Sequence, residues 1–381
     1  MAENELKKRI FISACEPSAD AHCAQLITAI NQKTPAIEWI GVGGEKMAQA
    51  GCQLLENTAQ RAAMIYNAFG QVGFYYKLLK RIRAYFNDHK VDLVIVCDSP
   101  AFNFHVAKAA KKAGVKVLFY VAPQLWAWAP WRIWKLRRLC DKLACILPFE
   151  EEWFGSRKVD AEFVGNPLFD GIDINSQDCC KDYSGFNAYK AIVALMPGSR
   201  EAEIKSLWPA MQKVAVKLKW QWPGVTFLAP AADEEKLKLL KSTTIEGFEC
   251  EFTVCDVTRS AIRADIALVA SGSATLQVAA AGCPMVIMYQ SSRVLWHLVG
   301  RWLVRTRFFS LVNILAGKEL VAEFMPYFSS TEPIIRQCNV LLSSRTVLGK
   351  TSRELADLAR PLATGSASEK VAAMVLEMIE G

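Results

Sequence analysis

The chain lacks most of the short motifs that assign a chemistry outright. None of its 12 cysteines falls in a Cys-x-x-Cys pair; Cys179 and Cys180 are adjacent, and several others lie in apolar runs such as Val96-Cys97 and Ala144-Cys145. That spacing argues against a zinc framework and predicts reduced, mostly buried thiols. The small-residue loop Ser271-Gly272-Ser273-Ala274-Thr275 lacks the Gly-Lys-Ser/Thr ending of a Walker A loop. Gly41-Val42-Gly43-Gly44 lacks the third glycine and the helix phase of a dinucleotide fingerprint, which weakens a dehydrogenase reading, and it reads as a turn. Net charge is +7, yet there is neither a dense basic stripe nor a nucleic-acid-binding motif, so no nucleic-acid partner is expected.

Long apolar runs are missing as well. The first eight residues carry no apolar h-region and lead straight into Ile10-Phe11-Ile12, so no secretion signal is expected. The longest uncharged stretch, between Asp265 and Arg293, is broken by Ser271-Gly272-Ser273, Gly282 and Pro284. It reads as strand, loop, helix and strand, not as a membrane span. No internal repeat or low-complexity segment is visible.

What is present is a globular composition, 52% hydrophobic and 22% charged, in 381 residues, a length that predicts two domains. Short β-branched runs alternate with longer amphipathic ones, the pattern of parallel sheets wrapped by helices. Strands are predicted at 9–14, 92–97, 115–121 and 143–147, then at 191–196, 225–229, 265–270 and 285–289. The segment 165–190, rich in Asp, Asn, Gly and Ser, reads as the linker. The expected fold class is therefore α/β. The expected division is 1–180, 181–350 and a carboxy-terminal helical segment 351–381, with two Rossmann-like units facing each other across a cleft.

Four loops at predicted strand ends could carry chemistry. The first is Cys15-Glu16-Pro17-Ser18-Ala19-Asp20-Ala21-His22, where Glu16 and Asp20 could orient sugar hydroxyls or assist a base. The competing reading is that Ser18 or Asp20 caps a helix over 21–31. The second is Asp98-Ser99-Pro100-Ala101-Phe102-Asn103. Transfer to a hydroxyl needs a general base, and Asp98 is the first candidate; capping of a helix over 102–113 is about equally well supported by the sequence.

The third loop is Pro197-Gly198-Ser199-Arg200-Glu201. Gly198 permits close backbone approach, and Ser199 and Arg200 offer donors to a phosphate; Glu203 and Lys205 read as helix surface. The fourth is Ser271-Gly272-Ser273-Ala274-Thr275-Leu276-Gln277, a small-residue loop opening a helix and so a candidate anion cradle.

In this order the four loops resemble those of the lipid-A-disaccharide synthase family. The likeness extends through Phe119-Tyr120-Val121-Ala122-Pro123-Gln124-Leu125-Trp126-Ala127-Trp128, Leu147-Pro148-Phe149-Glu150, Phe163-Val164-Gly165-Asn166-Pro167-Leu168, Pro284-Met285-Val286 and Ser310-Leu311-Val312-Asn313-Ile314-Leu315-Ala316-Gly317. It spans nearly the whole chain. The resemblance implies a GT-B fold and an inverting, metal-independent transfer without a cofactor, with which the absence of an Asp-X-Asp motif agrees. It implies UDP-2,3-diacylglucosamine as donor, 2,3-diacylglucosamine 1-phosphate as acceptor, and a β-1',6-linked disaccharide plus UDP as products. By position it makes Asp98 the base, puts Glu16 and Ser18 in the first active-site loop, and puts Arg200, Ser271, Gly272, Ser273 and Asn313 in the nucleotide and phosphate region. A homodimer is also implied, with the segment around 355–379 packing across.

The sequence departs from the family pattern at five places. Cys15 and Ala19 replace glycines, Gln277 stands where a glutamate is usual, Asn166 replaces a histidine and Val312 a proline. Glutamine accepts through one oxygen only, which bears on ribose binding and donor choice. These changes leave open a related UDP-sugar transferase with another lipid acceptor, or a silent paralogue that binds UDP-sugar or lipid without transfer. Retention of Glu16, Asp98, Arg200 and Asn313 favours an active enzyme.

Lipid substrates require a membrane-facing surface, and three segments are suited to one. They are 71–86 (Val72, Phe74, Tyr75, Leu78, Leu79 and Ile82 with Lys77, Lys80, Arg81 and Arg83), Trp131-Arg132-Ile133-Trp134-Lys135, and the basic series Arg293, His297, Arg301 and Arg305 among Leu295, Trp296, Leu298, Trp302 and Leu303. The expectation is a cytoplasmic protein held peripherally on an anionic inner-membrane surface. For each segment alone, a solvated face above a core-packed stripe is the commoner explanation.

Overall fold

The computed structural model describes residues 7–34, 37–58, 68–170, 180–304, 306–363 and 365–380, with backbone only at 68–71, 295, 299 and 301. The chain divides into two units, Met1–Gly171 with Thr364–Gly381, and Ile172–Ala363. The boundary falls inside the predicted linker, in a stretch (171–179) outside the described residues.

The first unit is a seven-stranded parallel sheet. Its elements are β1 (Lys8–Ala14), α1 (Pro17–Lys33), β2 (Ile37–Gly43), α2 (Glu45–Gln49), β3 (Gln53–Asn57), α3 (Ala68–Asp88), β4 (Leu93–Cys97), α4 (Pro100–Lys112), β5 (Lys116–Tyr120), α5 (Ile133–Leu139), β6 (Lys142–Cys145), α6 (Pro148–Gly155) and β7 (Ala161–Phe163). The strand order is β3-β2-β1-β4-β5-β6-β7. β1 and β4 are buried along nearly their whole length, which is why they read as continuous apolar runs without alternation.

β2 contains Gly41 and Gly43 of the run that reads as a turn, and Gly44 is the N-cap position of α2. A Cβ on Gly41 would lie 2.0 Å from the Ile12 carbonyl oxygen of β1, so glycine here marks a close strand approach.

The second unit repeats the plan with six strands. It comprises β8 (Ile192–Met196), α7 (Glu201–Gln221), β9 (Thr226–Ala231), α8 (Glu234–Ser242), β10 (Glu251–Val254), α9 (Val257–Arg263), β11 (Ile266–Ala270), α10 (Ala274–Ala280) and β12 (Met285–Met288). Three short helical pieces follow, Arg293–Leu295, Trp296–Gly300 and Arg301–Leu303, then α11 (Leu311–Ala316), β13 (Glu323–Phe324), α12 (Glu332–Ser343) and α13 (Arg345–Ala359). The order is β10-β9-β8-β11-β12-β13.

The last helix, α14 (Ala367–Glu380), belongs to the first unit, so the segment 351–381 does not stand as one piece. Its apolar stripe, Ala367, Val371, Ala372, Met374 and Val375, completes the core made by Ile10, Leu26, Ile95 and Tyr120. Asp170 accepts from the Ala367 and Ser368 amides at 2.7 and 2.8 Å, a helix cap supplied from about two hundred positions earlier in the chain. Among the described residues the cysteines are free, and seven of these eleven are buried, as structural thiols should be. No described helix is long and apolar enough to cross a membrane.

Candidate active site

In each sheet the strand order reverses direction at one point, between β1 and β4 and between β8 and β11. Loops leaving the carboxyl ends of such a strand pair diverge and leave a crevice, where open α/β sheets bind ligands. In the first unit Ala14 is in register with Cys97, so the Glu16 and Asp98 loops start side by side. In the second, Met196 is in register with Val269, which does the same for the Arg200 and Ser271 loops. The four loops singled out in the sequence are thus the four switch-point loops.

The Asp98 loop is strained and held. Asp98 and Ser99 adopt φ of 51° and 42°, a left-handed conformation costing about 1–2 kcal/mol per non-glycine residue. The buried Asn103 side chain supports it: Nδ2 donates to the Cys97 and Asp98 carbonyls at 2.9 and 2.7 Å, and Oδ1 accepts from Ser13 Oγ at 2.7 Å. The Asp98 amide donates to Tyr120 O on β5 at 3.1 Å. The N-cap position of α4 is Ser99 and not Asp98, and Ser99 makes no side-chain cap bond. Ser99 Oγ instead donates towards Glu16 Oε1 at 3.5 Å, at the outer limit of a hydrogen bond.

α1 begins at Pro17, four residues ahead of the expected start, with Glu16 at the N-cap position and without a side-chain cap bond. Neither Ser18 nor Asp20 is its cap. Ser18 is exposed. Asp20 is buried, and its two oxygens accept from the amides of Gly44, Lys46 and Met47 at 2.7, 3.2 and 3.2 Å. Those bonds satisfy the amino end of α2, so the Asp20 carboxylate serves the scaffold and is not turned to a substrate.

Cys15 is buried; burial, with Glu16 and Asp98 adding, pushes its thiol up to about 12, which leaves it inert as a nucleophile. Ala19 is packed in the core. Tyr75 of α3 packs against Phe102 with the rings tilted and centroids 5.0 Å apart, and burial, then the nearby Cys15 and Glu16, raise its phenol pKa. It joins the first loop and does not form part of an outward apolar stripe.

In the second unit Gly198 sits at φ 104°, and a Cβ there would lie 2.4 Å from Glu203 Oε2. Glu203 is not surface decoration: its oxygens accept from the Arg200 amide and guanidinium, both at 3.3 Å. This links the exposed Arg200, at the N-cap position of α7, to the first turn of that helix. Ser199 is exposed beside it.

In the fourth loop Gly272 and Ser273 are exposed, Ser271 and Ala274 partly so, and Gln277 is half-buried. Thr275 is buried with its hydroxyl donating to Gly272 O at 2.7 Å, a bond that shapes the turn.

Asn313 is buried and fully committed. Its Nδ2 donates to Val321 O at 2.8 Å and Glu323 Oε2 at 3.0 Å, and its Oδ1 accepts from the Leu320 and Val321 amides at 2.9 and 3.1 Å. Its side chain therefore builds the 309–323 loop and does not reach a nucleotide. Glu323 also accepts from the Phe309 and Ser310 amides at 2.9 and 3.0 Å. Val312 is core, and Asn166 accepts from the Leu168 amide at 3.1 Å as a local cap.

The three basic segments fare differently. On α3, Leu78, Leu79 and Ile82 are core and Phe74 and Tyr75 pack against it, so of the apolar stripe only Val72 is exposed, next to Tyr76. Arg81 is paired with Glu56 at 2.8 Å. Trp131 and Trp134 are half exposed, with Arg132 over Trp128 and Lys135 over Trp134. Burial and then Lys135, Arg83 and Lys108 lower the His105 pKa, so cations from α5, α3 and α4 gather on one face. In the third segment Val294, Leu298 and Trp302 are 67–71% exposed at four-residue spacing. Arg305 lies outside the described residues, as do the side chains of Gln71, Leu295 and Arg301.

Solved structures share this plan of two switch-point sheets. A putative UDP-N-acetylglucosamine 2-epimerase from Listeria monocytogenes superposes with a TM-score of 0.67 over 98% of this chain and 97% of its own, at 11% identity. MurG from Acinetobacter baumannii does so with 0.59 over 97% and 99%, at 14% identity. The fold is the α/β GT-B fold. A family model described as lipid-A-disaccharide synthetase matches residues 10–375. Lipid-A-disaccharide synthases from Trichlorobacter lovleyi and Coxiella burnetii are 34% and 32% identical, over 98% of this chain and 98–99% of theirs. The chain belongs to the lipid-A-disaccharide synthase family and is a glycosyltransferase of lipid A biosynthesis.

Proposed function

We propose that the protein joins UDP-2,3-diacylglucosamine to 2,3-diacylglucosamine 1-phosphate, releasing UDP and forming the β-1',6-linked disaccharide 1-phosphate. The observation that carries the assignment of roles is the Asp98 loop: a carboxylate at a switch point, on backbone kept in a costly conformation by Asn103. Asp98 takes the proton of the acceptor 6-hydroxyl. The oxygen attacks the anomeric carbon from the face opposite UDP, and the bond from that carbon to the diphosphate oxygen breaks with its electron pair leaving on UDP. Arg200, oriented by Glu203, the Ser271 hydroxyl and the backbone amides of Gly272 and Ser273 meet the growing negative charge. Glu16 and Ser18 contact sugar hydroxyls, and Gln277 contacts the ribose through its single amide oxygen.

Peripheral binding to an anionic membrane on the cytoplasmic side completes the reading. It is supported by the exposed Val294–Leu298–Trp302 stripe and by the cations and tryptophans of the first unit. Flotation with vesicles containing anionic lipid tests this, and absence of binding at low salt refutes it. Sedimentation equilibrium tests the homodimer that the resemblance implies. The transfer itself is tested by mixing purified protein with both diacylglucosamine substrates and following UDP and disaccharide. Failure to form either refutes the assignment.

A further inference from the structure

A second carboxylate of the first unit is wholly buried and unused by the mechanism above. Glu150 lies in the first turn of α6. Its Oε2 accepts from the Ile146 and Leu147 amides at 3.2 and 3.1 Å, a local cap. Its Oε1 accepts from Trp126 Nε1 at 2.9 Å, and Trp126 also meets Phe149 edge-on with centroids 4.9 Å apart. Trp126 sits in the loop leaving β5, bracketed by two left-handed residues, Val121 at φ 62° and Ala129 at φ 57°. A β-branched residue in that region is held there by its surroundings and not by preference. The loop starts one residue after Tyr120, which is in register with Cys97 and whose carbonyl accepts the Asp98 amide. A cap alone needs only one carboxylate oxygen; the other is spent on the indole.

We propose that Glu150 is a positioning residue for the transfer: through Trp126 it fixes the strained loop after β5, and with it the backbone that holds Asp98. This rests on the assignment of Asp98 as base. Burial pushes the Glu150 carboxyl up to about 7 against the three donated bonds, so the protein keeps an acid where it is costly.

The test uses the full chain and three variants, Trp126→Phe, Glu150→Gln and the double variant. W126F removes the indole donor and leaves the α6 cap intact. E150Q keeps one oxygen for the Ile146 and Leu147 amides but turns its own amide donor against the indole N–H. Each single variant is expected to lower kcat about ten-fold or more with KM little changed, and the double variant to be no worse than the poorer single one. In wild type the Trp126 indole proton, identified by its absence in W126F, exchanges slowly with solvent, and in E150Q it exchanges faster. Wild-type kcat in W126F, or effects that multiply in the double variant, would overturn the proposal, as would unchanged indole exchange in E150Q. A protein inactive on both sugars would instead sink the proposed function, with indole exchange still reporting on the tie.

Discussion

Asn103 is the side chain on which the proposed base depends most. Asn103→Ala removes two donated bonds and one accepted bond, two of them buried and that to the Asp98 carbonyl partly so, and leaves the Ser13 hydroxyl and two carbonyls without those partners. Each stranded polar group costs about 1–3 kcal/mol. Against this, release of Asp98 and Ser99 from the left-handed region returns about 1–2 kcal/mol per residue. The net loss of stability is therefore expected near 3 kcal/mol, smaller than the hydrogen bonds alone suggest. Activity should fall further than stability, because a released loop carries Asp98 with it, and displacement by about 1 Å costs on the order of a hundred-fold. Asn103→Asp is the sharper variant: it keeps the size, loses both donors and faces two carbonyls with a carboxylate. Ser13→Ala removes one bond only and should cost about 1 kcal/mol. Urea midpoints and kcat for disaccharide formation measure both effects. If Asn103→Ala kept kcat within about two-fold and lost less than about 0.5 kcal/mol, the claim that Asn103 holds the loop would be wrong.

Three further outcomes follow from the geometry. Asp20→Ala strands the Gly44, Lys46 and Met47 amides and should cost about 2–4 kcal/mol, seen in thermal melts, with kcat per folded molecule little changed; a selective loss of kcat would return Asp20 to the substrate. Gly198→Ala combines a left-handed φ with a Cβ against Glu203, so it should loosen Arg200 and lower kcat/KM about ten-fold or more, with a smaller effect on the melt. The Glu150 carboxyl titrates in the folded state near 7, raised from 4.5 by burial, so the folded protein keeps a proton that the unfolded chain has released between these values. Its contribution is fully present below pH 4.5 and is lost as pH rises through about 7, with a slope of at most about 1.4 kcal/mol per pH unit. Urea midpoints between pH 5 and 8 should fall less steeply for Glu150→Gln; parallel curves would contradict the buried acid.

The sequence exposed the strands that are buried on both faces and the loops at their ends, because an uninterrupted apolar run followed by small or charged residues has few other meanings. It hid β2, since Gly41 is there for the Ile12 carbonyl and a single sequence cannot show what a residue must make room for. It hid the cap of α14 because Asp170 reaches it across the fold. The polar site positions divided in the same way. Glu16, Arg200 and the Ser271–Ser273 turn stand at the switch points, whereas Asp20 and Asn313 are enclosed by backbone amides and carbonyls. Residue type suits either use, and only burial separates them. The supports found in the structure, Asn103, Glu150 and Glu323, act on backbone several to many residues away. The nearest thing to a warning was Glu203, three residues beyond Arg200 at the spacing of a capping pair.

The most direct test compares wild type with Asp98→Ala, given both diacylglucosamine substrates and followed for UDP and disaccharide together. Wild type should form the two products in equal amounts, and the variant should lose about two to four orders of magnitude in kcat while keeping its fold. Turnover near the wild-type rate in Asp98→Ala would contradict the assignment of Asp98 as the base.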